Sequence, residues 1–327
     1  MRHYLAVDGG NSKTDVVLGT ERGDVLAYVR GRGTCHQNIG LAATMTRLSA
    51  LVARARAAAG LPPGRTLDRA DIYLAGADLP AEITMLSDAI LARGWAPSLR
   101  LSNDAIALLR AGTDAPDAVA VVCGAGVNCV ARRGDGRSLQ FPSLGLLSGD
   151  WGGGGQLGQL ALWHAVRAGD GRGPATSLER AIAIHYGLSS AEELGFEIHL
   201  GHREDRLDDL TPLVFREADA GDEVARSLVA QQAAEIVTMA TAAARRLELT
   251  DEPFTVVLGG GVVRSRHPRL IDPVVAGIQA VAPKASVTIV DAPPVLGAAL
   301  FSLDAFDAGP DARTALRDTL SALTPLS

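Results

Sequence analysis

Lysine is almost missing from this chain. Lys and Arg together number 31 in 327 residues, yet the only lysines are Lys13 and Lys284. A bias that broad reads as GC-rich coding, and it draws attention to Lys13, which stands inside a glycine-rich turn. Aromatic residues are also scarce, at 4%, so Ala, Val and Leu must fill most of the interior. The three cysteines, Cys35, Cys123 and Cys129, are odd in number and form no close pair. This excludes a disulfide framework and fits a reducing compartment. Excess positive charge is absent as well. A net charge of −6 leaves no basic face for duplex nucleic acid or an anionic membrane. The longest apolar run, around Ala118 to Val127, falls far short of a membrane span. Asp8 ends the N-terminal apolar stretch before a signal-peptide core could form. A cytoplasmic location is the expectation.

What is present is ordinary for a soluble globular protein: 47% hydrophobic and 21% charged residues. The length allows two domains with separate cores. The first thirty residues read as a β-meander, with strands His3–Asp8, Asp15–Gly19 and Asp24–Arg30. Leu41 to Ala59 has helical apolar spacing and stops at Gly60. Short strands Asp71–Ala75 and Leu99–Ser102 bracket a helix from Pro80 to Arg93, and Asn103-Asp104 opens another. At Ala118 the pattern restarts: strand to Cys123, turn Gly124-Ala125-Gly126, returning strand Val127–Arg132. After a loop from Gly145 to Gly155 the chain reads as helical to about Leu247, with the longest pattern over Asp222–Leu247. Phe254–Leu258 and Ser286–Val290 are the last strands. The strand and glycine-turn opening thus occurs twice, about 115 residues apart, a weak internal duplication. The expected layout is two α/β domains, 1–117 and 118–300, with the chain from about 300 able to rejoin the first. A cleft between two such domains is a natural ligand site.

Three glycine turns carry the chemistry. In Asp8-Gly9-Gly10-Asn11-Ser12-Lys13-Thr14, glycines remove the Cβ atoms that keep a backbone from a phosphate, and N–H groups of the turn can point at the anion. Asp8 is placed to hold Mg²⁺ through water, and Asn11, Ser12, Lys13 and Thr14 supply donors. A plain hairpin with a solvated Asp would have the same pattern, and the segment lacks the order of a Walker loop. Cys123-Gly124-Ala125-Gly126-Val127-Asn128 repeats the physics with Asn128 as donor, or is only a buried hairpin. Gly259-Gly260-Gly261 ends a strand where a flat adenine or a ribose could lie, or merely enters a helix. The pair Glu197 and His199, with His202, reads as surface decoration rather than a metal site.

In this order the three turns resemble the two phosphate elements and the adenosine element of the actin and hexokinase superfamily. Within it the chain is similar to the BadF/BadG/BcrA/BcrD-type ATPases, and more particularly to their N-acetylglucosamine kinase branch, from Tyr4 to about Leu300. The resemblance implies two ribonuclease H-like domains flanking a nucleotide and sugar cleft, with ATP and Mg²⁺ bound and an amino sugar as acceptor. It implies that Asp104, in Leu101-Ser102-Asn103-Asp104-Ala105, is the base for the sugar hydroxyl; read alone, Asn103 or Asp104 would be a helix cap. It places Gly145 and Asp150, in the stretch Gly145–Gly154, against the sugar, where composition alone would allow a flexible linker. Where the kinases carry Asn before His to read the acetamido group, this chain has Cys35 before His36, so His36 or Asn38 takes over or the acceptor is glucosamine, N-acetylmuramate or another sugar. A homodimer is a further implication. An ATP-switched activator without a sugar acceptor is the rival reading.

Overall fold

Tyr4–Val7 is an unbroken apolar run, and a strand of that kind is stable only when both faces are covered. It forms the middle of β1 (His3–Gly9), all of whose residues are buried. In the computed structural model, which describes residues 1–62, 64–203 and 207–323, β1 is the central strand of the first of two five-stranded sheets. β2 (Lys13–Thr20) pairs antiparallel with it, from His3 opposite Thr20 to Gly9 opposite Thr14. β4 (Arg69–Leu74) pairs parallel on its other side. β3 (Val25–Arg32) and β5 (Leu99–Ser102) complete the order β3-β2-β1-β4-β5. Parallel neighbours need a crossover, supplied here by α1 (His36–Ile39), α2 (Leu41–Ala58) and α3 (Pro80–Leu91). Leu48, Leu51 and Val52 of α2 and Leu86 and Ile90 of α3 join Leu5, Val7, Val16 and Leu18 of the sheet in one core. α4 (Asp104–Gly112) starts directly after β5.

The second sheet has the order β10-β9-β6-β7-β8. β6 (Ala118–Cys123), β7 (Val127–Arg132) and β8 (Ser138–Gln140) take the places of β1 to β3, and β9 (Phe254–Gly259) and β10 (Ala285–Ile289) those of β4 and β5. The duplication faintly visible in the glycine turns is therefore a repeat of the whole sheet topology, and both units are ribonuclease H-like. Between β8 and β9 lie α5 (Gly153–Gly169), α6 (Leu178–Tyr186), α7 (Ala191–His199), α8 (Thr211–Ala220) and α9 (Glu223–Arg246). α10 (Gly261–Arg264) and α11 (Pro268–Val281) connect β9 to β10. No described helix is long and apolar enough to cross a membrane.

The chain divides into one compact unit of Met1–Ala120 with everything from Val290 onward, and a second of Val121–Ile289. Against expected limits of 117 and 300, the second division comes earlier because α12 (Val295–Ala305) is a buried layer of the first unit. It lies against β1, β4 and α4. Ser302 Oγ donates to Asp71 Oδ2 at 2.6 Å, and Arg69 grips the same buried carboxylate with bonds of 2.6 and 2.9 Å. α13 (Pro310–Ala322) follows.

At Gly297, a Cβ would stand 1.8 Å from the Ala107 carbonyl oxygen of α4. Gly297→Ala is expected to destabilise the protein by more than about 3 kcal/mol, since backbone rather than a flexible side chain must yield. Denaturant unfolding checks this; a variant as stable as the parent would contradict the close approach.

Candidate active site

In the first unit the site grows from the end of β1. Asp8, 8% exposed, is followed by Gly9, whose missing Cβ would meet Leu74 and Thr34 at 2.5 Å. The Gly10 N–H closes the hairpin on the Lys13 carbonyl at 2.8 Å. The loop after β3 lies on this turn: Gly33 N–H donates to the Ser12 carbonyl at 3.0 Å and Thr34 N–H to that of Gly10 at 3.1 Å. Any side chain at 33 would enter the Asn11 carbonyl, with a Cβ only 2.0 Å from its oxygen. Asn38 Nδ2 donates to Asn11 Oδ1 at 2.9 Å, so the proposed phosphate turn and the proposed sugar loop are physically joined.

Thr14 departs from its expected role as a phosphate donor. Its side chain is fully buried, and its hydroxyl is 2.9 Å from that of Thr34. β2 is buried on both faces from Thr14 onward, and this hydroxyl pair fastens the turn to the loop. Asn11 and Ser12 remain exposed and Lys13 half-buried.

Cys35 is 3% exposed, and burial pushes its thiol up from the ordinary value, with the negative charges of Asp104 and Asp78 adding to the effect. It is thus a neutral thiol within electrostatic reach of both carboxyls. His36 is half-buried, with Nε2 3.5 Å from Glu82 Oε1. Asn103 is buried and holds two groups at once. Its Oδ1 accepts from the Ala105 N–H at 2.8 Å, capping α4, and its Nδ2 donates to Asp78 Oδ1 at 2.6 Å. Asp104 follows in the first turn of α4. Burial raises its carboxyl to about 6, opposed by backbone N–H groups. Asp78 rises to about 7, through burial first and then the charges of Asp104 and Glu82. The cap reading and the base reading of Asn103-Asp104 are therefore compatible: Asn103 is the cap, and Asp104 stands free of that task.

Sequence reasoning missed Asp78, Glu82 and Gln37. Gly76-Ala77-Asp78-Leu79-Pro80 does carry a signal, an acid between a strand-end glycine and a helix-starting proline. Gly76 has φ +84° and a Cβ there would be 3.1 Å from Cys35 Sγ. Glu82 accepts from the N–H groups of Asp78 and Leu79 at 3.1 and 2.9 Å and from Gln37 Nε2 at 2.8 Å.

In the second unit three glycine segments meet. Gly260, with φ +94°, leaves room for the Cys123 carbonyl oxygen, which a Cβ would approach to 2.3 Å. Gly154 and Gly155 donate to the carbonyls of Gly124 and Ala125 at 2.7 and 2.9 Å. Gly153, with φ +81°, would clash with Gly126 at 2.5 Å if it carried a Cβ. So the β6–β7 turn, the strand end at Gly259–Gly261 and the start of α5 form one backbone cluster, with Asn128 8% exposed beside it. Of the loop expected over Gly145–Gly155, the last three residues instead open α5. Initial helix N–H groups need acceptors, and the carbonyls of Gly124 and Ala125 provide them for Gly154 and Gly155, so these residues are not a flexible linker. Asp150 is 6% exposed and accepts from the Ser148 hydroxyl, while its N–H donates to the Gly145 carbonyl at 3.0 Å. Trp151 is half-buried. Gln232, fully buried on α9, accepts from the Gly153 N–H at 2.8 Å and was not anticipated.

Comparison with known proteins follows the same lines. The model of the BadF/BadG/BcrA/BcrD ATPase family matches residues 5–302. The chain is 27% identical to the N-acetylmuramic acid/N-acetylglucosamine kinase of Clostridium acetobutylicum over 81% of its own length and 87% of that protein's. It is 25% identical to the N-acetyl-D-glucosamine kinase of Dictyostelium discoideum, over 92% and 98% of the two chains. Among solved structures, a candidate N-acetylglucosamine kinase from Chromobacterium violaceum superposes with a TM-score of 0.75 at 24% identity, covering 92% and 98%. A ROK family glucokinase from Streptomyces griseus, solved with glucose and AMPPNP, gives 0.57 at 17% identity, covering 91% and 98%. These two likenesses establish the two-domain actin/hexokinase-like fold.

Gln232→Leu would leave the buried Gly153 N–H without its acceptor, at a cost of about 1–3 kcal/mol. Amide exchange at Gly153 is expected to speed up while the β1–β5 amides stay protected. Unchanged protection at Gly153 would mean that Gln232 does not hold this turn.

Proposed function

Because the chain belongs to the BadF/BadG/BcrA/BcrD ATPase family, we propose that it is an ATP-dependent kinase for an amino sugar, with N-acetylglucosamine as acceptor and its 6-hydroxyl as the attacking group. One observation carries the reading. A carboxyl raised to about 6 stands at a strand-to-helix junction, with its cap supplied by the preceding residue, which leaves Asp104 available as a base near neutral pH. The names of the two curated relatives support the acceptor class.

Asp104 takes the hydroxyl proton as the sugar oxygen bonds to the γ-phosphorus and the bond to the β-phosphate oxygen breaks, releasing ADP. In the first unit Gly9 to Lys13 bind phosphate oxygens. In the second, Gly124 to Asn128 do the same and Gly259–Gly261 receive the nucleoside. Asn103 orients Asp104, and Asp150 with Gly145 binds sugar hydroxyls. Cys35 cannot replace the amide of the kinases, since a buried neutral thiol is only a weak donor. The acetamido group falls to His36, whose Nδ1 is buried without a partner among the described residues.

Among the described residues no three His, Cys, Asp or Glu groups gather as a metal cage. That suits Mg²⁺, which keeps most of its waters and binds through phosphates and one or two carboxylates. Asp8, a buried carboxylate beside the Gly9-Gly10 turn, would hold it. When bound, the ion neutralises charge on the transferring phosphates.

Asp104→Asn is expected to retain ATP binding by calorimetry and to lose about 10²–10⁴ of sugar-dependent ADP release; near-normal turnover would remove Asp104 from the mechanism. In the parent enzyme, kcat/KM for the sugar is expected to fall as pH drops below about 6. A hexose panel tests the reading as a whole: ADP release indifferent to every sugar, including glucosamine and N-acetylmuramate, supports an ATP switch instead.

The same carboxyl affects stability. A folded-state value raised from 3.8 to about 6 means the folded protein binds that proton more tightly than the unfolded chain. The charged form therefore costs stability above about pH 6, a cost that disappears on acidification toward 4. At pH 7, Asp104→Asn is expected to melt about 2–4 °C higher, or about 1 kcal/mol allowing for the half-exposed site. A lower melting point would count against burial as the origin of the shift.

A further inference from the structure

We propose that Asp78 is the positioning partner of Asp104: it orients the helix start that carries the base through the Asn103 amide, and it completes a carboxyl pair that works with a single proton. The inference rests on the kinase reading above.

The geometry is specific. Asn103 can direct only one end of its amide at the Ala105 N–H, and the other end must then find an acceptor. Asp78 Oδ1 provides it at 2.6 Å, which fixes the amide in the capping orientation. Asp78 is itself held from behind. Glu82 accepts from the Asp78 and Leu79 N–H groups, and Gln37 Nε2 reaches both carboxylates, at 3.5 Å from Asp78 and 2.8 Å from Glu82. A chain of hydrogen bonds thus runs from α1, through the first turn of α3 and Asp78, to the start of α4.

The titratable groups facing Asp78 are Asp104 from α4, Glu82 from the first turn of α3, and the Cys35 thiol, with His36 beyond Glu82. The strongest charges acting on Asp78 are both carboxylates, those of Asp104 and Glu82. Neighbouring carboxyls do not both ionise readily. Asp104 gives up its proton first and serves as base, while Asp78 keeps the second near neutral pH. Ionisation of Asp78 then adds a negative charge beside the attacking hydroxyl, which opposes approach of the anionic γ-phosphate.

The test is the pH profile of kcat/KM for the sugar, measured by ADP release for the parent, Asp78→Asn and Asp78→Ala. The parent is expected to rise through about pH 6 and to fall above about pH 7. Asp78→Asn keeps an acceptor for Asn103 but cannot ionise, so the alkaline fall should vanish. Asp78→Ala loses the acceptor as well, and its kcat should drop at least tenfold below that of Asp78→Asn, with KM for ATP unchanged. A parent profile flat between pH 7 and 8.5 would overturn the proposal without any variant, as would an Asp78→Asn profile superimposable on the parent's. If the parent shows no sugar-stimulated turnover at all, the kinase reading fails and takes this inference with it. Turnover with an unchanged profile sinks this inference alone.

Discussion

The architecture depends on letting main chain touch main chain at the ends of central strands. At Gly33 and Gly260 a single Cβ would stand 2.0 and 2.3 Å from a neighbouring carbonyl oxygen. No rotamer change relieves such an overlap, because the obstacle is backbone. In the first unit this contact presses the loop after β3 onto the β1–β2 turn. In the second it presses the end of β9 onto the β6–β7 turn, where the start of α5 also docks. Each candidate phosphate turn is therefore buttressed by a second segment, and its conformation is set before any ligand arrives. A turn ordered in this way loses little entropy on binding an anion, which favours recognition by N–H groups.

Two fully buried acids of the first unit are matched by cations: Asp15 by Arg30 and Asp71 by Arg69. Asp78 and Asp104 have amides and N–H groups instead. Hydrogen bonds hold them in place without fully offsetting burial, so both titrate within reach of neutral pH. The contrast separates acids held by cations from acids held by amides within one domain, and burial of the second kind costs stability once they ionise.

The repeated sheet order explains why the chain must cross back. β4 and β5 have helices on one side in the local sequence, and the opposite side is covered by α12, which arrives from the far end of the chain. Gly297 and the Ser302–Asp71 bond are what a late-arriving helix needs: close approach to α4 and a fixed register on β4. Ser302 is the one fully buried polar side chain on this helix, and Asp71 is its partner.

Local signals were enough to determine much of this protein. Strand ends marked by Gly9, Gly124 and Gly259, the start of α4 at Asp104 and the stop of α2 near Gly60 were legible, because turn and cap preferences act over a few residues. The family pattern in those turns was legible for the same reason. Tertiary structure alone decided which way side chains point and what they meet. Thr14 reads as a donor in a turn, but the loop after β3 covers it and brings Thr34, twenty residues away, to its hydroxyl. Gly153–Gly155 read as the end of a loop, but Gln232 and the carbonyls of a turn some thirty residues earlier supply the acceptors that make them a helix start. Asp78 has only a faint local signal, an acid between Gly76 and Pro80; its partner appears only when β4 and β5 lie side by side and bring Asn103 within hydrogen-bonding distance of it. Backbone preferences are written in neighbouring residues, whereas partners are assigned by packing.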